Sequence, residues 1–328
     1  MPSALPSLPN GAPTNRLGLA QWLTASEHPL TARVLVNRVW QELFGQGIVA
    51  TSDNFGTQGS LPSHPELLDW LAREFIRGKW DHKQLCKQIV LSAVYRQDSR
   101  ASATLRDRDP NNALLARGPA RRLTAEMLRD SALALGGLLR AEIGGPPAMP
   151  YQAEGSMWNS LNNFLPQYQP DNGAGLYRRS LYTFWRRTTT PPNMMAFDAA
   201  SRDVCAARRT TTNTPLQPLV LMNDPQFVEA ARALGERMWK EGGTTTTGRL
   251  NWLFREVSGR LPSGSEMQLV ENLYAEQLQL FQQKPEQAEM LLKVGNSGRD
   301  PALPGVESAA ASATASALFN LDVSVMQR

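Results

Sequence analysis

The sequence predicts a mainly α domain with long irregular loops and one short β element near residues 176–187. Three observations carry this. Apolar residues recur at helical spacing in most segments. Capping residues, prolines and glycines stand where such helices would start and stop. One stretch, "GLYRRSLYTFWRR" (175–187), is instead rich in Tyr, Phe, Trp and Thr, as a strand would be.

The elements follow in order. Residues 1–14 form a Pro/Ala/Ser lead. "NRLGLAQWLTA" is a first helix with Leu17, Ala20 and Leu23 on one side. In "HPLTARVLVNRVWQELFGQG", His28 or Thr31 starts a second helix, Pro29 suits its first turn and Gly45 ends it. Its apolar arc holds Leu35, Val36, Val39, Trp40 and Leu43, with Arg33 and Asn37 at the edge. A glycine-rich segment follows, then a helix opened by a Ser63–Glu66 capping box. "DHKQLCKQIVLSAVYRQ" is a further helix. "RRLTAEMLRDSALALGGLL" is another, capped by Thr124, and these segments read as one helical layer. Pro, Gly, Asn and Tyr then dominate an irregular loop, 141–175. Beyond the β element the chain is helical again. Thr214, Pro215 and Gln217 read as a helix start, and Asp224-Pro225 as the next. The organisation expected is one domain over 15–322, with a helical half 15–140, the loop 141–175 and a mixed then helical half 176–295. Residues 296–328, rich in small side chains, are expected to pack weakly.

The chain has 328 residues, 41% hydrophobic and 20% charged, with eight tryptophans, which suits a folded core. Residues 100–260 carry 21 basic against 14 acidic side chains, and residues 261–328 carry 4 against 8. The basic residues form no run, so nucleic-acid binding is not expected. No apolar run is long enough for a membrane span. The N-terminus has no signal-peptide pattern, so this stretch alone predicts a cytoplasmic chain. The two cysteines, Cys86 and Cys205, form no CxxC pair and no CxxCH haem-attachment motif. The three histidines, His28, His64 and His82, lack metal-ligand spacing, so no metal site is expected.

Several constellations are open to two readings. His28 and His64 each precede a proline at a helix mouth. They are either structural or, facing one cleft with Asp53, a general acid–base set. Arg33, Asn37 and Trp40 are either a polar network between helices or one wall of a ligand site. Arg186, Arg187, Arg208 and Arg209, with Asn213, flank a loop holding Asp198 and Asp203. They are either intrachain Arg–Asp pairs or a basic site for a sulfated or carboxylated sugar. No Ser-His-Asp order or G-x-S-x-G elbow is present.

The segment from "NRLGLAQWLTASEHPLTARVLVNRVWQELFGQG" to "LPSHPELLDWLAREFI", then "SAVYRQDS", "RRLTAEMLRDSAL", "RRSLYTFWRRTTTPPNMMAFDAASRDVCAARRTTTNTPLQPLVLMNDPQFVEAAR" and "LFREVSGRLPSGSE", resemble the planctomycete cytochrome-associated PSD domain, domain of unknown function 1553, in the same order. The resemblance covers about residues 14–322. It implies an extracytoplasmic role, periplasmic or at the cell surface, beside a c-type cytochrome-like module or a second helical domain. That role would concern electron transfer or polysaccharide use. Any haem would then sit on the partner. The function this implies is a non-catalytic binding or scaffold module. The alternative is a hydrolase acting on an anionic polysaccharide.

Overall fold

Asn15 opens the first helix by accepting, through its side chain, from the backbone N–H groups of Leu17 and Gly18. The computed structural model describes residues 2–152, 168–185 and 190–327. The described residues divide into two compact units, one reaching to Arg121 and including Gln327, the other running from Arg122 to Met326.

The first unit contains α1 (Arg16–Leu23), α2 (Thr31–Phe44), α3 (Pro65–Arg77), α4 (His82–Val90) and α5 (Ala103–Arg108). Gly45 ends α2 with a left-handed φ of 84°, which a Cβ would disfavour. The apolar arc of α2 packs with α3, α4 and the segment after Gly47. Val36, Trp40, Ile48, Val49, Leu71, Phe75 and Leu85 form the core. Each large side chain so buried contributes about 1.5–3 kcal/mol. Two expectations are corrected here. The Ser63–Glu66 capping box does not form. The N-cap of α3 is His64, without a side-chain cap bond, because the Ser63 N–H and hydroxyl both donate to the Ile48 carbonyl. The helix after Asp81 stops at Val90, well short of residue 97.

β1 (Arg121–Arg122) pairs with β2 (Met326–Gln327) as a two-residue ladder. The second unit contains α6 (Ala125–Leu135), α7 (Pro192–Met195), α8 (Leu216–Asn223), α9 (Pro225–Glu241), α10 (Thr246–Ser258), α11 (Gly264–Gln283), α12 (Pro285–Leu292), α13 (Gly305–Leu318) and α14 (Asp322–Val325). Thr124 caps α6 and Asp224 caps α9, as the sequence predicts. The single helical layer expected from the sequence is corrected, because α6 belongs to the second unit, where it packs on α9. The second unit begins at Arg122.

The expectation of a weakly packed ending is overturned. α13 is the most enclosed helix of this unit, with Ala309, Ala310, Ala311, Ala315 and Thr314 fully buried. It packs against α9, α11 and α12. Its small side chains permit close approach rather than loose packing. A Cβ on Gly235 of α9 would lie 2.9 Å from the Ser312 backbone nitrogen. The Ser312 and Thr314 hydroxyls bond back to the Ser308 and Ala310 carbonyls, so burying them leaves no donor unpaired.

The strand expected at 176–187 is also corrected. This stretch forms two 3-10 turns, Gly173–Tyr177 and Ser180–Tyr182, and only single bridging residues, Arg178 to Arg140 and Thr183 to Ala148. Its backbone is captured by side chains of α6 instead of by a neighbouring strand. Arg129 donates to the Leu176 and Arg178 carbonyls, and Ser180 N–H donates to Asp130. Mainly α is therefore the class, with β structure confined to isolated pairs among the described residues. Part of the long loop 141–175, and the arginines Arg186 and Arg187, lie outside the described residues.

Candidate functional site

In the first unit the polar residues singled out by the sequence occupy separate places. His28, 7% exposed, caps α2 from two residues before its N-cap. Its Nδ1 lies 3.3 and 3.2 Å from the Leu30 and Thr31 nitrogens, and Trp22 meets its ring edge-on at 4.4 Å. Arg33 donates to Asp69 at 2.6 Å and to the Pro29 carbonyl. Its hydrogen bond holds the Asp69 carboxyl below the usual carboxylate range. Asn37 is fully buried. Its Nδ2 donates to the Val49 carbonyl at 3.1 Å and its Oδ1 accepts from the Val49 N–H at 2.8 Å. Asp53 is exposed. His64 lies beside the Trp40–Phe44 stack in a pocket of ≈ 90 Å³. Trp40 and His64 are thus brought to one pocket, whereas His28, Asp53, Arg33 and Asn37 do not line it.

In the second unit the stretch "RRTTTNTPLQ" is held by its own chain. Asp198, at a left-handed φ of 58°, accepts from the Thr212 N–H at 2.6 Å and from its hydroxyl. Arg209 pairs with Glu126 at 2.7 Å. Burial pushes the Glu126 carboxyl up, but the bonds from Arg209, the backbone and Thr124 outweigh it, and the group sits below its ordinary range. Arg122 donates to Asn213 at 2.9 Å and to Gln217 at 2.7 Å. The cavity among these residues is ≈ 40 Å³, room for a few waters and not for a sugar. Arg208 is exposed. Thr214 does not cap α8 through its side chain; its carbonyl accepts from Gln217 N–H instead.

Three of the most heavily buried charged groups, Arg129, Glu229 and Arg232, are ones the sequence did not single out. Arg129 of α6, 2% exposed, is saturated by Gln226, Ser180 and two carbonyls. Burial lowers its pKa to about 10, so it stays charged at neutral pH. Glu229 and Arg232 of α9 are likewise enclosed. One oxygen of Glu229 accepts from Tyr177 OH at 2.8 Å, Asn296 N at 2.7 Å and Ser297 N at 2.6 Å. Arg232 donates to Glu236, Val294 O and Ser297. Burial, then Glu229, pushes the Tyr151 hydroxyl up to about 12 and raises Tyr177 as well. Asp224, enclosed at the start of α9, is pushed up to about 6 by burial, although backbone and Asn193 bonds oppose this. The available signal was Glu229-x-x-Arg232 inside the apolar stripe of Phe227, Ala230, Leu234 and Met238. A charged pair there either breaks the stripe or is buried with it.

This unit also carries an open apolar groove of ≈ 320 Å³. It is walled by Leu128 and Leu135 of α6, Phe227 of α9, Val257 of α10 and Phe319, and among the described residues its only polar side chains are Ser131 and Ser324. Among the described residues no three His, Cys, Asp or Glu side chains converge as a metal-binding group, and no helix is long and apolar enough to cross a membrane. Cys86 and Cys205 are free thiols.

A family model described as PSD1, protein of unknown function (DUF1553), matches residues 15–274, and the chain belongs to that family. No curated protein and no solved structure matches it.

Proposed function

We propose that this chain is a non-catalytic binding module working beside a c-type cytochrome-like partner in an extracytoplasmic assembly concerned with electron transfer or polysaccharide use. Haem would be carried by the partner. One observation supports this reading above the others: the groups a catalyst would need are scattered and locally engaged. His28 caps α2, Arg33 pairs with Asp69, Asn37 clasps Val49 and Arg209 pairs with Glu126. A general acid–base pair requires both groups within reach of one substrate atom. Apolar side chains are also open at the surface: α8 exposes Leu216, Leu219 and Met222 on successive turns. Contiguous apolar surface of this kind marks protein partners more often than polar substrates.

The test is sedimentation of the purified chain with a c-type cytochrome domain, followed at the haem absorbance. The expected outcome is a saturable complex that weakens when Leu219 is changed to Glu. Release of reducing ends from a sulfated or carboxylated polysaccharide, lost in His64→Ala, would overturn the reading in favour of a hydrolase.

A further inference from the structure

The first unit contains a pocket whose polar rim the fold does not use. Its floor is the Trp40–Phe44 stack, rings 4.1 Å apart. One wall is the segment after α2, pinned by Asn37. The other is the turn 109–117, which is over-determined. The buried carboxylate of Asp109 accepts from the Ala113 and Leu114 N–H groups at 2.8 and 2.9 Å, and Asn112 bonds both ways to the Arg117 backbone. Asn112 and Leu115 are held at left-handed φ values of 51° and 57°. A leucine there is strained, and such strain persists where surroundings enforce it, often beside ligands.

The rim is supplied by Gln46, His64 and Asn111. The Gln46 and Asn111 amides make no hydrogen bond within the described residues. The Nδ1 of His64 is engaged by the Ser63 hydroxyl at 3.0 Å, leaving Nε2 open. Among the described residues no Asp, Glu, Lys or Arg lines the pocket. Amides both donate and accept, as hydroxyls do. An apolar floor with such a rim matches a ring that has a C–H face and a hydroxyl edge.

We infer that this pocket binds a single neutral sugar ring, its C–H face on the Phe44 side and its hydroxyls on Gln46, His64 and Asn111. The cavity, ≈ 90 Å³, is far below the ~300–1,000 Å³ of sites that engulf larger ligands, so it takes one ring of a chain. The inference is independent of the cytochrome-partner reading. It assigns a neutral ligand, unlike the anionic sugar considered for the arginine loop.

The experiment is saturation-transfer NMR on the full chain with neutral methyl glycosides, with glucuronate and a neutral tetrapeptide as comparisons. At least one neutral glycoside binds saturably, and Gln46→Ala with Asn111→Ala weakens it about tenfold. Asn111→Asp, which keeps the shape and adds a charge, weakens it too, whereas Arg209→Ala does not. Unchanged melting temperatures show that these variants fold. Absence of binding by every neutral glycoside, undiminished binding in the double variant, or preference for glucuronate or the peptide would each overturn the assignment.

Discussion

Each unit fixes a long loop with one buried polar side chain on a helix, and the two do it with opposite chemistry. In the first, Asn37 of α2 clasps Val49. In the second, Glu229 of α9 clasps Asn296 and Ser297. Both loops bring a glycine against the clasp. A Cβ on Gly47 would lie 2.6 Å from Asn37 Nδ2, and one on Gly295 would lie 2.2 Å from the Glu229 carboxyl carbon. A neutral amide donates and accepts, so two bonds to one residue satisfy it. A carboxylate only accepts. The loop must therefore present consecutive N–H groups, which it does after Gly295 at φ 94°. The buried charge must also be balanced, which Arg232 does at 3.9 Å. The neutral clasp is cheap to bury and local in effect. The charged one ties together α9, Tyr177 and the segment leading into α13, so its loss is felt through the whole unit.

Glu229→Ala strands Arg232, the Tyr177 hydroxyl and two N–H groups, and destabilises the second unit by about 3–5 kcal/mol in chemical denaturation. A loss below that of Asn37→Ala would break the contrast. Asn37→Ala leaves the Val49 N–H and carbonyl unpaired, which costs about 1–3 kcal/mol and loosens residues 47–60 to proteolysis. A pH series on Asp224→Asn, which keeps a capping side chain, reads the next effect. The folded pKa of Asp224, about 6, lies above the ordinary 3.8, so the fold holds this proton more tightly than the unfolded chain does. Acidification from pH 7 to 5 therefore stabilises the wild type relative to the variant, and the advantage is lost as pH rises through 6. A melting-temperature difference that is flat over this range would contradict it. The smallest effect is Arg209→Ala: its ion pair with Glu126 is half-exposed, and the expected loss is within about 1 kcal/mol.

What was legible in the sequence is what depends on nearest neighbours along the chain. The periodic helices α2, α3, α6 and α9 could be read directly, as could Gly45, Thr124 and Asp224-Pro225, because caps and apolar stripes are local. Local signals failed where a distant group competed. Ser63 had the right spacing to Glu66, but the Ile48 carbonyl took its donors, whereas Ser263 and Glu266 do close a capping box. The aromatic run at 176–185 had strand composition, but Arg129, some fifty residues earlier, took its carbonyls. The small residues of α13 looked too poor in apolar surface to pack, but the close approach of Gly235 on α9 needs side chains of that size. The clasp of Glu229 on Asn296 spans 67 positions, which no spacing rule reaches.

The measurement that tests most directly whether these buried polar groups hold loops, rather than waiting for a substrate, is native-state hydrogen exchange at the amides of Val49, Asn296 and Ser297. Strong protection is predicted in the wild type. Asn37→Ala should release Val49 alone, and Glu229→Ala should release Asn296 and Ser297 together. Fast exchange at these amides in the wild type, or protection that survives both substitutions, would contradict the account and leave Asn37 and Glu229 free for chemistry.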